Sequence, residues 1–171
     1  MDLRPLSTTG THRPVMVKEV LEGLALPPGG HMVDGTAGGG GHLRAFLEHL
    51  GPQGRVDAFE KDPGTYRRLR LQMENDPRVH LHPTGFERMG EVLAGYRGTL
   101  NAVFLDLGLS SLLLEQSGRG FSFRQEEEPL DMRFDPEQGE PLAVWLKRWS
   151  VSILYRILRT YGETRYARRL A

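Results

Sequence analysis

Asp34-Gly35-Thr36-Ala37-Gly38-Gly39-Gly40-Gly41-His42 places five glycines behind a carboxylate within nine residues. A run of that kind, here including Gly38, Gly40 and Gly41, lets the backbone approach a ligand closely. A dinucleotide fingerprint begun at Gly38 meets its second glycine at Gly40 but finds Leu43 where the third must stand. A phosphate loop would need Lys followed by Ser or Thr, and neither follows the glycines. The acid at Asp34 instead suits a ligand that presents a cationic amine, such as the methionine part of S-adenosylmethionine. The competing reading is a turn that only lets a strand and a helix pack closely.

Glu60 follows about 20 residues after the glycines, where an acid in such folds accepts both hydroxyls of a ribose, although a solvated strand-end acid has the same appearance. Asp106-Leu107-Gly108-Leu109-Ser110-Ser111 closes a later apolar run with an acid and two hydroxyls. Such a group beside a cofactor orients an amine, and transfer from a sulfonium methyl needs little more than alignment, desolvation and removal of a proton. Helix capping is the equal alternative for one of Ser110 and Ser111.

Arg119-Gly120-Phe121-Ser122-Phe123-Arg124 alternates guanidinium groups with aromatic rings, a composition that stacks bases and holds phosphates. By itself it reads better as a small hairpin whose phenylalanines enter a core. In Pro129-Leu130-Asp131-Met132-Arg133 the plain reading is an ion pair of Asp131 with Arg133 or Arg119. Lys147, Arg148, Arg156, Arg159, Arg165, Arg168 and Arg169 near the end are opposed only by Glu163, a candidate phosphate-contact surface or a solvated helix face. His80 and His82 share one face of a strand without a third ligand nearby, so no metal is expected.

The elements that must position these groups alternate. Residues 14–25 carry Val15, Val17, Val20, Leu21 and Leu24 at helical spacing, with Pro14 suited to a first turn. His31–Asp34, Arg55–Glu60, Val79–His82 and Ala102–Asp106 read as strands, with a helix after the glycines and another opened by Asp62-Pro63. Strands alternating with helices imply a parallel sheet. The fourth strand is almost wholly apolar, as in a strand covered on both faces. Residues 109–140 read as an irregular insertion, and 141–171 as two or three helices with a break at Gly162. The expected organisation is a flexible leader over 1–13, a cofactor-binding domain over 14–108 and an inserted, mainly helical lobe over 109–171.

Composition narrows the class. The 171 residues are 39% hydrophobic and 26% charged, ordinary for one globular domain with a small inserted lobe. Twenty-two basic residues balance twenty-two acidic ones, so a nucleic-acid partner must be held by a local patch rather than by net charge. The absence of cysteine excludes disulfides, thiolate zinc sites and cysteine nucleophiles. No signal-peptide core and no apolar run of membrane-spanning length is present, which fits a cytoplasmic location.

As a set, His12-Arg13-Pro14-Val15, Asp34 to His42, Asp106 to Ser111, Arg119 to Phe123, Pro129 to Arg133 and Tyr161-Gly162-Glu163 resemble the S-adenosylmethionine-dependent methyltransferases that modify N4 of a cytosine in bacterial 16S ribosomal RNA. The resemblance runs from His12 to Ala171. It implies an α/β, Rossmann-like class I methyltransferase sheet in the order 3-2-1-4, with later strands absent and a helical insertion after the fourth. It also implies a cofactor site from Gly40, Gly41, His42, Glu60, Asp106 and Phe86, the last against the adenine. Asp106 would orient the target amine with support from Ser110 and Ser111, and Arg119, Phe121, Phe123 and Arg133 would shape the RNA pocket. The cytosine would have to leave its stack to reach the cofactor. The implied partner is 16S ribosomal RNA or a small-subunit assembly particle, with no membrane.

The sequence departs from the family pattern in three places. Glu60 stands where aspartate is usual, and Leu113 where a glutamine would touch the cofactor. The family continues for another hundred or so residues, so a four-strand sheet would leave the fourth strand as an open edge, to be covered by missing chain, by a homodimer or by other edge-strand pairing. Two rivals stay open: a non-catalytic or incomplete RNA-binding form of the same fold, and an NAD-dependent oxidoreductase.

Overall fold

A computed structural model describes residues 14–162 and 164–171. The leader at 1–13 and Glu163 lie outside the described residues, as do the side chains of Ser111, Leu112 and Gln116. The chain divides into two compact units, Met1–Leu112 and Leu113–Ala171.

The first unit is built on a parallel sheet of β1 (His31–Asp34), β2 (Arg55–Phe59), β3 (Val79–His82) and β4 (Ala102–Phe104). Its strand order is β3-β2-β1-β4, the Rossmann-like order expected. Helix α1 (Val17–Leu24) starts later than its apolar spacing suggests, because Met16 takes a left-handed conformation ahead of it. Helix α2 (Gly41–Leu50) follows the glycine loop, and α3 (Pro63–Met73) begins where the Asp62 carboxylate accepts the Thr65 N–H at 2.7 Å. Proline at the first helical position loses no bond there, so Asp62-Pro63 is a start signal at little cost.

One face of the sheet buries Met32, Val56 and Ala58 beneath Leu43, Phe46, Leu47 and Leu50 of α2 and Leu69 and Met73 of α3. Complete burial of a ring such as Phe46 contributes on the order of 2–3 kcal/mol. The other face places Val33 and Phe59 against Leu93, Met89, Tyr96 and Leu100. That cover comes from a 3-10 turn at Phe86–Arg88, α4 (Met89–Val92) and a second turn at Ala94–Tyr96, pieces too short to register as periodicity.

The fourth strand is shorter than its apolar run. It ends at Phe104, and its edge position leaves Val103 46% and Leu105 39% exposed. Ala102 and Phe104 pack into the core on the α2 side, so the run is apolar on both faces but covered on one.

The stretch read as irregular contains α5 (Ser111–Gln116), which the boundary between the two units divides. Three further helices follow: α6 (Leu142–Arg148), α7 (Val151–Tyr161) and α8 (Ala167–Leu170). Ser150 caps α7 by accepting the Ile153 N–H, and Gly162 ends it, the break expected there.

Candidate functional site

The glycine loop is stitched to two strand ends at once. Gly35 N–H donates to Phe104 O at 2.9 Å and Ala37 N–H to Phe59 O at 3.0 Å, which aligns the carboxyl ends of β4 and β2 around the loop. Crevices at the carboxyl ends of parallel strands are where this fold class holds ligands. Gly40 sits at φ +79°, a conformation open to glycine, with Leu69 Cδ1 2.6 Å from where a Cβ would project. At Gly41 a Cβ would stand 3.0 Å from the ring of Pro14, so the residues ahead of α1 press directly on the helix start.

Three carboxylates converge here. Asp34 is buried, and its Oδ1 accepts the Thr36 N–H at 3.1 Å. Its Oδ2 is buried and has no hydrogen-bond partner among the described residues. Burial raises its pKa to about 7, aided by the charges of Glu60 and Asp106 and opposed by the Thr36 N–H. Glu60 accepts the Gly38 N–H at 3.0 Å on Oε2 and the Asp62 N–H at 2.7 Å on Oε1, and burial pushes its pKa up against those bonds. The Lys61 N–H also favours its charged form, so part of its acceptor capacity is already engaged. Asp106 is held by its backbone, its N–H donating to Thr36 Oγ1 at 2.7 Å, while its side chain is 53% exposed. Thr36 therefore ties the first acid to the third, a linkage the sequence reading missed because threonine inside a glycine run carries no charge to mark it.

His42 packs its buried ring against Phe46 and Phe104. Its Nε2 lies 2.9 Å from Val15 O and its Nδ1 3.9 Å from Asp106 Oδ2. Phe86 is partly exposed, with its Cβ beside Gly35. Ser110 is half-buried immediately ahead of α5, and the Ser111 side chain lies outside the described part. A shallow hollow of about 470 Å³ lined by Leu47, Glu48, Gly51, Pro52, Pro77 and Arg78 lies at the far end of α2. Arg78 is occupied there with the Leu47 and Gly51 carbonyls and the Asp76 carboxylate.

A second charged group sits beneath the sheet, unread in the sequence. Asp57 is buried, with His31 Nε2 at 2.6 Å, His82 Nε2 at 2.7 Å and Arg55 Nε at 3.0 Å. Burial alone would raise its carboxyl, but the bonds from His82, Arg55 and His31 overcome it and hold the group well below the usual carboxylate range. His82 is thus a strut for a buried acid. Among the described residues no group of three His, Asp or Glu is arranged to hold a metal ion.

Within the second unit, the residues read as RNA contacts separate. Arg119 donates to the Arg133 and Phe134 carbonyls. Phe121 is buried edge-on against Phe134, with ring centroids 5.6 Å apart. Arg133 grips Asp131 through two bonds of 2.6 and 2.7 Å, the ion pair anticipated. Phe123 is 88% exposed with Arg124 6.0 Å from its ring. The expected hairpin with both phenylalanines in a core is replaced by an irregular loop that buries one and presents the other. Leu113, in place of the expected glutamine, is buried in α5.

Residues 9–171 match the MraW methylase family. The chain is 44% identical over 160 residues to the ribosomal RNA small subunit methyltransferase H of Xanthomonas campestris pv. campestris, covering 94% of this chain and 46% of that protein. It is 44% identical over 162 residues to the protein of the same name from Thioalkalivibrio sulfidiphilus, covering 94% of this chain and 51% of that one. The chain therefore spans about half the length of the curated relatives it matches. A solved Clostridium thermocellum chain described as an rRNA-methylase aligns with a TM-score of 0.40 at 20% identity, over 44% of this chain and 45% of that one.

Proposed function

The chain belongs to the MraW methylase family, and from that premise we propose that it forms the S-adenosylmethionine-binding part of an enzyme that methylates N4 of a cytosine in 16S ribosomal RNA. The observation that carries the reading is the convergence of Asp34, Glu60 and Asp106 around a glycine loop in which one buried carboxylate oxygen, Asp34 Oδ2, lacks a partner. The ammonium group of a ligand is the chemical complement of that oxygen. Glu60 is the carboxylate beside the loop that a ribose diol would meet, and Phe86 is exposed enough to meet a flat base. S-adenosylmethionine supplies an electrophilic methyl group on a sulfonium.

The chain's own part is positioning. Asp34 and Glu60 hold cation and diol, while Gly38, Gly40, Gly41 and the backbone of His42 let the ligand lie close. Asp106, aimed by Thr36 Oγ1 and still exposed, accepts a hydrogen bond from the target amine and turns its nitrogen toward the methyl. Ser110 and Ser111, which follow it in the chain, support it in this reading. Phe123 is the side chain of the second unit best presented to stack an unpaired base, whereas Phe121, Arg119 and Arg133 shape the loop that carries it.

The partner in this reading is 16S ribosomal RNA or a small-subunit assembly particle, met in the cytoplasm. Among the described residues no helix is long and apolar enough to cross a membrane. Pairing of the β4 edge with another strand, whether from a second copy or from further chain, belongs to the same reading, since β4 ends the strand order and an unpaired strand edge invites pairing.

The test is a calorimetric titration with S-adenosylhomocysteine, with NAD as control, followed by transfer of labelled methyl to small-subunit particles lacking the mark. Binding of the first ligand alone and a labelled cytosine in the digested RNA are expected. Preference for NAD would overturn the cofactor assignment, and label at another base the substrate assignment.

A further inference from the structure

A backbone carbonyl only accepts, so the 2.9 Å contact between His42 Nε2 and Val15 O puts the ring proton on Nε2. In a neutral ring Nδ1 is then a lone pair. It faces Asp106 Oδ2 across 3.9 Å, two acceptors with no proton between them. The ring is only 8% exposed and is wedged between Phe46 and Phe104, at centroid distances of 6.1 and 4.8 Å. Turning it over would break the Val15 bond. Asp106 is the more open of the two, so an incoming amine meets the carboxylate first and the imidazole stands behind it.

We propose that His42 is the final proton acceptor of methyl transfer: the proton shed by the target amine is taken by the Asp106 carboxylate and passed to His42 Nδ1. This rests on the methyltransferase reading. As the amine nitrogen bonds to the methyl carbon, the carbon–sulfur bond breaks with its electron pair left on sulfur, and the nitrogen gives up one hydrogen as a proton. That proton reaches Nδ1 and leaves an imidazolium beside a carboxylate that is again ionised. A movement of about 1 Å brings the pair from its present separation to hydrogen-bond distance. The Val15 carbonyl keeps its bond to Nε2 throughout, since both ring nitrogens are donors in the imidazolium.

Two measurements test this. In the chain labelled with ¹⁵N-histidine, nuclear magnetic resonance at pH 8 is expected to show His42 protonated on Nε2 and bare on Nδ1; a proton on Nδ1 overturns the proposal whatever the activity. His42→Gln keeps an amide N–H for Val15 O and removes the second nitrogen. It is expected to bind S-adenosylhomocysteine within about threefold of wild type and to transfer methyl in a single turnover about 100-fold or more slowly. A wild-type rate in His42→Gln overturns the proposal, and so does a loss of ligand affinity that accounts for the lost rate. If that variant does not fold, the ring-nitrogen spectrum decides alone. Wild-type chain that binds no S-adenosylhomocysteine and transfers no methyl refutes the function reading itself, and the proposal falls with it.

Discussion

Removing the Asp34 charge should stabilise the free protein while weakening the ligand that the charge serves. Burial raises this carboxyl from 3.8 to about 7, so the folded state holds a proton that the unfolded chain releases. For an acid shifted upward, the stabilisation is complete below the unfolded value and is lost as pH rises through the folded one. At about 1.4 kcal/mol per pKa unit the whole shift corresponds to roughly 4 kcal/mol, and wild type loses about 3 kcal/mol of it between pH 5 and pH 8. Asp34→Asn has no such dependence, because its amide stands in for the protonated acid. Urea denaturation of both proteins at the two pH values cancels every other titrating group in the difference. The stability of Asp34→Asn relative to wild type is expected to rise by about 3 kcal/mol from pH 5 to pH 8 and to level off above pH 7. In wild type the affinity for S-adenosylhomocysteine should grow about tenfold between pH 6 and pH 8 as Asp34 ionises, and in the variant this rise should vanish. Parallel stability curves for the two proteins would refute the premise that Asp34 is a protonated, ligand-awaiting carboxyl.

Glu60→Gln keeps the shape of the strand end but offers one acceptor oxygen in place of two, so calorimetry should show S-adenosylhomocysteine binding weakened about tenfold, with adenosine following and methionine unaffected. Asp57→Asn removes the charge that pairs with His31, His82 and Arg55, leaves one acceptor oxygen among three donors, and should cost roughly 3 kcal/mol in urea denaturation at pH 7. The Asp57 carboxyl lies below its unfolded value, so wild type keeps this stability above about pH 4 and loses it on acidification, and the two proteins should converge at low pH. Gly40→Ala forces a Cβ into a left-handed residue 2.6 Å from Leu69 Cδ1, and thermal melts should show a loss of about 1–3 kcal/mol together with weaker ligand binding.

The parts of this fold that were legible in the sequence are those whose signals are local. Asp62-Pro63 announces a helix start, Pro27-Pro28-Gly29-Gly30 a chain break, and His31–Asp34 a strand stopped by an acid, and each stands where its chemistry places it. What was hidden depends on residues far apart in sequence. Asp57 lies in a run that reads simply as a strand, and only the parallel register of β1, β2 and β3 brings His31 and His82 to either side of it. Phe121 and Phe123 stand two positions apart in one short segment, yet Phe134 packs on the first and nothing in the described structure buries the second.

The candidate site divides along the same line. Its carboxylates could be named from strand ends and glycines, but their protonation could not, because the state of Asp34 follows from complete burial beside Glu60 and Asp106. The same holds for Thr36, whose hydroxyl spans 70 residues to fix the backbone of Asp106. A motif therefore identifies which groups can meet a ligand, while their charge state and aim are set by contacts that only the fold creates. For Asp106 the consequence is specific. Its side chain is free to meet a substrate because its position is secured through the main chain, so Thr36→Val should disturb the aim of the acid without touching its charge.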